Sequence, residues 1–153
     1  MGQIDVITPV GDICVTASDG AVTTVSWGRA QRDPGLETAL LQEAKAQLDA
    51  YFEGGLQTFD LPLFVDGSDF QRAVCDAMSA IPFGHTLTYG DIAKALDAPP
   101  QAIGQACGGN PIPIVIPCHR VLSATGLGGF SAAGGVETKV ALLRPEGAAG
   151  LLI

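Results

Sequence analysis

Three features of the sequence predict an α/β fold in two parts. Short alternating segments joined by Gly and Asp turns open the chain and read as a small antiparallel sheet. A single amphipathic helical segment follows them. The remainder is mostly helical and contains two short helices on either side of an Asp97-Ala98-Pro99-Pro100 break. The expected division is residues 1–66, a small N-terminal α/β domain, and residues 67–153, a helical C-terminal domain with a helix-turn-helix.

In the first part, Ile4–Thr8 alternates in a strand-like way and leads into the turn Pro9-Val10-Gly11-Asp12. Ile13–Ala17 forms the next strand, Ser18-Asp19-Gly20 the next turn, and Val22–Trp27 the third strand. Glu37–Phe52 carries apolar residues at 40, 41, 44, 48, 51 and 52, which is helical spacing, and Gly54-Gly55 stops it. Residues 55–67 show little regular pattern and read as the exit loop.

In the second part, Ser68 is placed to cap a helix running to Ala80, with Phe70, Val74, Ala77 and Met78 inward. Pro82-Phe83-Gly84 ends it. Thr88-Tyr89-Gly90-Asp91 has the form of a capping arrangement for a short helix to Leu96. A second short helix is expected from Gln101 to Cys107. By itself this pair is a weak sign of DNA binding, since many helical hairpins bind nothing.

At 153 residues with 47% hydrophobic content, the chain can bury a proper core, which argues against disorder. No apolar run approaches the roughly 18 residues of a membrane span. Met1–Asp5 lacks the basic-then-apolar layout of a signal peptide, so a cytoplasmic, membrane-free protein is expected. The net charge of −8 is unfavourable for nucleic-acid binding at first sight. Its distribution alters that reading. Through Asp66 ten acids face three bases, whereas from Gly67 onward six acids face five bases. The acidity lies almost wholly in the first part, which is expected to face away from any duplex.

The four cysteines, at 14, 75, 107 and 118, show neither zinc-knuckle nor Cys-x-x-Cys spacing, so no metal is implied. One of them has unusual neighbours. In Asn110-Pro111-Ile112-Pro113-Ile114-Val115-Ile116-Pro117-Cys118-His119-Arg120-Val121, prolines stiffen the chain just before a Cys-His pair. A free thiol is only slightly ionised near pH 7, and an adjacent base or cation raises that fraction. His119 is a candidate base and Glu146 a candidate carboxylate to set its tautomer. If the segment is a strand, Cys118 and His119 point to opposite faces and communicate through a water or a turn. The plain alternative is a buried thiol, a satisfied histidine and a structural arginine. The residues by themselves leave both readings open.

The second half resembles the O6-alkylguanine-DNA alkyltransferase (methylated-DNA–protein-cysteine methyltransferase) family. The matching residues are Phe70-Gln71, Ile81–Gly84, Thr88–Ala93, Asn110-Pro111, Pro117–Val121, Gly128–Ser131, Gly134-Gly135, Lys139, Leu142-Leu143 and Glu146-Gly147. They cover about residues 68–149, and the Pro-Cys-His-Arg core is the most specific of them. The first part resembles the family's divergent N-terminal domain only weakly. The resemblance implies a ribonuclease H-like first domain and a winged helix-turn-helix in the second. It makes Cys118 the nucleophile toward the alkyl carbon on guanine O6, His119 and Glu146 its deprotonating partners, and Asn110 the residue that orients the site loop. Tyr89 would help rotate the damaged nucleotide out and, with Val121, Phe130 and Ser131, enclose it; flipping is needed because O6 in a stacked pair is out of reach. Gln101, Ala102, Gly104 and Ala106 would lie along the minor groove, where readout is degenerate, with Ala and Gly equally suited to tight helix packing. Arg120 is assigned a structural role. No cofactor is implied, and a monomer acting once per molecule on double-stranded DNA suffices.

Two departures stand out. The slot in which the family usually carries an arginine that fills the gap left by the flipped base is Gln101 here, after a shortened Pro99-Pro100 turn. Lesion capture is therefore expected to be weaker. Cys75 stands where tryptophan is common and reads as core, and the zinc ligands of some relatives have no counterpart. Two rivals are a lesion-binding protein that transfers nothing, which the retained Cys118 opposes, and a thiol hydrolase, which would turn over repeatedly.

Overall fold

The computed structural model describes residues 1–29, 38–130 and 134–149, so the expected helix start at Glu37 and the expected base-enclosing Ser131 lie outside the described residues. The chain divides into two compact units, Met1–Asp66 and Gly67–Ile153.

The first unit is a three-stranded antiparallel sheet in the order β1 (Gly2–Thr8), β2 (Gly11–Ser18), β3 (Ala21–Trp27). β2 is central and is buried on both faces, with Ile13, Val15 and Ala17 on one side and Cys14 and Thr16 on the other. Helix α1 (Thr38–Phe52) packs across β1 and β2 through Leu41, Ala44, Leu48 and Tyr51. That stripe is the one its spacing predicts, with Leu40 and Phe52 at its margins only half-buried. The exit segment continues the sheet beyond β3. Val22 N–H donates to Pro62 O at 2.8 Å, and Phe64 N–H donates to Val22 O at 3.0 Å.

The second unit begins with α2 (Asp69–Ser79), whose first turn is capped by Ser68 Oγ accepting from Gln71 N–H at 3.0 Å. Phe70 is not inward as its spacing suggested; it is 37% exposed. The buried stripe runs through Val74, Cys75 and Met78, with Gln71 as its polar member. Gln71 Nε2 donates to Ala106 O at 2.7 Å, which fixes the rotation of α2 and turns Phe70 outward.

A short parallel pair, β4 (Leu87–Thr88) with β5 (Val121–Leu122), ties the start of the helix-turn-helix to the segment after Cys118. Helix α3 (Tyr89–Leu96) carries a complete capping box: Asp91 N–H donates to Thr88 Oγ1 and Thr88 N–H donates to the Asp91 carboxylate. These bonds hold the Asp91 carboxyl below the usual carboxylate range. The left-handed Asp97, at φ 52°, closes α3, and Pro99 leads directly into α4 (Pro100–Gly108). The compact turn thus rests on a residue type that tolerates left-handed backbone and on a proline in the first turn. Helix α5 (Val136–Leu143) completes the unit.

Replacing Thr88 with Ala should lower unfolding free energy by about 1 kcal/mol, the usual effect of losing such a cap. Urea unfolding of the two proteins checks it; an unchanged midpoint would mean the box contributes nothing to this helix.

Candidate active site

The stretch before Cys118 is an irregular loop held by one side chain. Asn110 Nδ2 donates to Ile116 O at 2.9 Å, and Asn110 Oδ1 accepts from Ile112 N–H at 3.0 Å. Between those anchors Ile114 adopts φ 73°, a conformation that a β-branched residue holds only under constraint. The loop delivers the chain into a 3₁₀ turn, Cys118–Arg120, rather than a strand. The turn removes the geometric objection to a Cys-His partnership, because its side chains do not alternate across a sheet.

His119 and Arg120 both reach Glu146, which follows α5. Glu146 sits in a tight turn, with its N–H donating to Leu143 O at 3.1 Å. His119 Nε2 lies 2.8 Å from Glu146 Oε2, and Arg120 Nε donates to Oε1 at 2.8 Å. Arg120 Nη2 adds a bond to Oε2 at 3.1 Å and Nη1 one to Ile81 O at 2.8 Å. All three side chains are buried. With Glu146 accepting at Nε2, the imidazole proton belongs there and Nδ1 is left as a basic nitrogen. Nδ1 is buried and has no hydrogen-bond partner among the described residues. Burial pulls the His119 pKa below 6.5 against the opposing pull of Glu146, so the ring is neutral at neutral pH. A depressed histidine pKa also means that the unfolded chain protonates first. Its contribution to stability is therefore complete above 6.5 and is lost as pH falls. Gly84 lets this turn approach the end of α2: its φ is +84°, and a Cβ there would meet Glu146 O at 3.3 Å.

Cys118 is buried, and burial pushes its thiol up; a hydrogen bond with Asn110 and the charge of Lys139 oppose that shift. Lys139 was noted in the sequence only as a matching position. The structure buries it completely, with Nζ donating to Val121 O at 2.6 Å and to Gly129 O at 3.1 Å. Nζ also lies 5.9 Å from the centre of the Tyr89 ring. A signal was available: Lys139 shares the buried face of α5 with Leu142 and Leu143, where a lysine is out of place unless its ammonium has partners.

A cavity of about 410 Å³ opens beside Cys118, lined by Tyr89, Gly104, Cys107, Gly108, Cys118, Gly129 and Phe130. Gly128, at φ +75°, brings its backbone against the Tyr89 ring, where a Cβ would stand 3.1 Å from Cε2. Burial and the neighbouring Cys118 push the Cys107 thiol up to about 12, and its Sγ faces Met78 Sδ at 3.5 Å.

Of the residues singled out in the sequence, Cys118, Tyr89, Gly104 and Phe130 meet at this cavity, with His119, Glu146, Asn110 and Arg120 behind it. Val121 is fully buried and is not among the cavity-lining residues; its backbone carbonyl contributes by anchoring Lys139. Ala106 is turned into the core rather than along an outer face, because the Gln71 bond and the packing of Ile103 and Cys107 rotate that side of α4 inward. Gln101 is exposed and Ala102 half-exposed on the first turn of α4. Among the described residues no group of three His, Cys, Asp or Glu side chains is placed to hold a metal, and no helix is long and apolar enough to cross a membrane.

The fold and site define a class: a protein that presents a buried cysteine, followed in its turn by a carboxylate-held histidine, at a cavity next to a helix-turn-helix. Comparison with known proteins gives the class its family. Residues 69–148 match the family model of the 6-O-methylguanine DNA methyltransferase DNA-binding domain, and residues 6–65 match that family's ribonuclease-like domain. The chain belongs to the 6-O-methylguanine DNA methyltransferase family. A methylated-DNA–protein-cysteine methyltransferase of Methanosarcina acetivorans is 38% identical over 92% of this chain and 94% of its own. One of Mycolicibacterium paratuberculosis is 39% identical over 91% and 88%. The crystal structure of Mycobacterium tuberculosis OGT in complex with DNA superposes with a TM-score of 0.85 at 36% identity, covering 96% of this chain and 93% of that one.

Replacing Glu146 with Ala should destabilise the protein by roughly 3–5 kcal/mol, because it leaves the buried Arg120 guanidinium without its carboxylate. Denaturant unfolding measures this; a loss under about 1 kcal/mol would show that the ion pair is dispensable.

Proposed function

We propose that this protein repairs alkylated DNA by moving an alkyl group from guanine O6 to its own Cys118, once per molecule. The observation that carries the reading is the buried Cys118 at the cavity, beside a neutral His119 whose Nδ1 is unpartnered and whose Nε2 is held by Glu146. Family membership and the DNA-bound relative support DNA as the partner.

The thiol proton passes to His119 Nδ1 through a bridging water, with Glu146 stabilising the imidazolium that forms. The sulfur attacks the alkyl carbon from the side opposite O6. The S–C bond forms as the C–O6 bond breaks, and the electron pair stays on the base. Guanine then takes up one proton, equal to the one the thiol lost. Lys139 keeps a positive charge near the developing thiolate and fixes the cavity wall through Gly129 O. Asn110 holds the loop so that Sγ faces the cavity. The product thioether is stable, so the protein is consumed.

The base must leave the stack to reach a buried sulfur. Tyr89, at the start of α3, and Phe130 offer aromatic faces to receive it. The first turn of α4, with Gln101 and Ala102, faces the minor groove. Gln101 hydrogen-bonds the orphaned cytosine with less reach than an arginine, and no charge.

Incubation with a duplex carrying one O6-methylguanine should add one methyl to the intact mass, located to Cys118 and absent in Cys118→Ser. Tight lesion binding without any mass gain would instead favour a lesion-binding protein, which the uncharged Gln101 would suit.

Electrostatics make a separate prediction. Of the five cations in the second unit, Arg120 and Lys139 are buried and Arg72 pairs with Asp69, so at most Arg72, Lys94 and Arg144 can reach phosphate. The slope of log Kobs against log salt should therefore be shallower than about −3. Gln101→Arg should steepen it by about 1 and speed transfer. A steep wild-type slope, or transfer by the variant no faster than wild type, would contradict the placement of α4.

A further inference from the structure

A buried pair of sulfurs takes no part in the alkyl-transfer step. Cys107 on α4 and Met78 on α2 set their sulfur atoms 3.5 Å apart, and both side chains are buried. Methionine and cysteine often fill cores with no further role. Here the pair stands at an opening, because Cys107 and Cys118 line the same cavity. That cavity therefore gathers two thiols, with a thioether directly against one of them.

Two sulfurs 3.5 Å apart can both reach one ion at about 2.3 Å, the length of a zinc–thiolate bond, with an angle of about 100° at the metal. Such an angle leaves the cavity side of the ion open, and Cys118 is the sulfur that side offers. The donors select the ion. Thiolate and thioether are soft ligands that favour Cu(I), whereas Mg²⁺, Ca²⁺ and Mn²⁺ favour oxygen. None of the cavity-lining residues carries a carboxylate or an imidazole. Two cysteines and a methionine are a different set from the three-residue His, Cys, Asp or Glu groups that the described residues lack.

Charge balances as well. Two thiolates and one Cu(I) sum to −1, which the ammonium of Lys139 offsets, so no net charge is left buried. Burial raises both thiols, and the Lys139 charge is the opposing influence that the two share. Lys139 is pinned by Val121 O and by Gly129 O, and Gly129 belongs to the cavity wall. Cys75, the other thiol of this unit, does not line the cavity, and Gln71 Nε2 donates to its sulfur at 3.6 Å.

We propose that Cys107, Met78 and Cys118 hold one Cu(I) ion at the cavity, and that the ion withholds Cys118 from alkyl transfer. Each thiol loses one proton to solvent as its sulfur bonds the metal. Met78 adds a neutral donor, and copper stays Cu(I) throughout. The ion engages the sulfur electron pair that attacks the alkyl carbon, so removing copper restores the thiol. Binding requires only the three sulfurs; the effect on transfer rests on the repair reading.

Anaerobic competition with the coloured Cu(I)–bicinchoninate complex measures uptake by wild type, Cys107→Ala, Cys118→Ser, Met78→Leu and Cys75→Ala, with thermal unfolding of each. Leucine keeps the volume of Met78, so that variant should fold. Wild type should take up one Cu(I) per molecule, and Cys75→Ala should match it. Loss of Cys107 or Cys118 should weaken uptake by about a hundredfold or more, and Met78→Leu by about tenfold. Full affinity in Cys107→Ala or Cys118→Ser would overturn the bridge, because one thiol would then suffice. Full affinity in Met78→Leu, or a loss in Cys75→Ala as large as in Cys107→Ala, would overturn this choice of ligands. Tighter binding of Zn(II) than of Cu(I) would overturn the choice of ion. With an O6-methylguanine duplex, one equivalent of Cu(I) should suppress the methyl gain on Cys118, and excess bicinchoninate should restore it. Transfer by the copper-loaded protein at the copper-free rate would overturn the block. No transfer with or without copper would remove the repair reading and the block with it, leaving the site to be decided by uptake alone.

Discussion

The buried carboxylate of Glu146 joins three segments that the sequence keeps far apart. One oxygen meets His119 and Arg120 together, the other takes a second bond from Arg120, and Arg120 continues to the Ile81 carbonyl at the end of α2. An ion pair this buried is costly in desolvation and is sustained only when each partner is fully bonded. That requirement fixes the turn after α5, the 3₁₀ turn that carries the cysteine, and the end of α2 with respect to one another. The same carboxylate sets the proton on His119 Nε2 and frees Nδ1. Structural cohesion and the basicity needed for chemistry therefore come from one group.

Around that anchor the thiol faces opposing influences. Burial disfavours the thiolate, whereas Asn110 and the ammonium of Lys139 favour it. Burial dominates, so Cys118 rests as a thiol and has to be deprotonated as it reacts. A resting thiol is also protected from adventitious oxidation, since the thiolate is the reactive form. Cys107 lies at the same cavity with its thiol likewise pushed up by burial, to about 12, and its sulfur set against Met78. Neighbours, not mere presence in the cavity, distinguish the two thiols: Asn110 bonds Cys118, whereas Met78 faces Cys107.

The exterior of the second unit is nearly without assistance from charge. Its two best-held cations are inside, where they organise the site, and five exposed acids outnumber the two exposed bases, Lys94 and Arg144. A protein of this kind depends on shape and on the cavity for recognition, more than on phosphate neutralisation. The glycines of α4 fit that emphasis, because they give up helix stability and leave open volume beside the sulfur.

Much of this was legible in the residues. The three strands and α1 follow from alternation, turn chemistry and helical spacing, all of which are local. Ser68 and the Thr88–Asp91 box are local too, and both cap as their spacing indicates. The Pro-Cys-His-Arg run singled out Cys118 as a candidate through its covalent neighbours, and the family resemblance, not those neighbours, assigned it the nucleophile's role. Tertiary structure decided what depends on partners distant in the chain. Phe70 faces outward because Gln71 bonds a carbonyl on α4. Ala106 is interior and Val121 acts through its carbonyl, since rotation about a helix or turn is set by the elements packed against it. Lys139 entered the site through bonds to segments 10 and 18 residues away in sequence. Spacing along a chain encodes which local conformation is cheapest; which buried polar atoms find each other is encoded only by how those pieces pack, and here that pairing made the site.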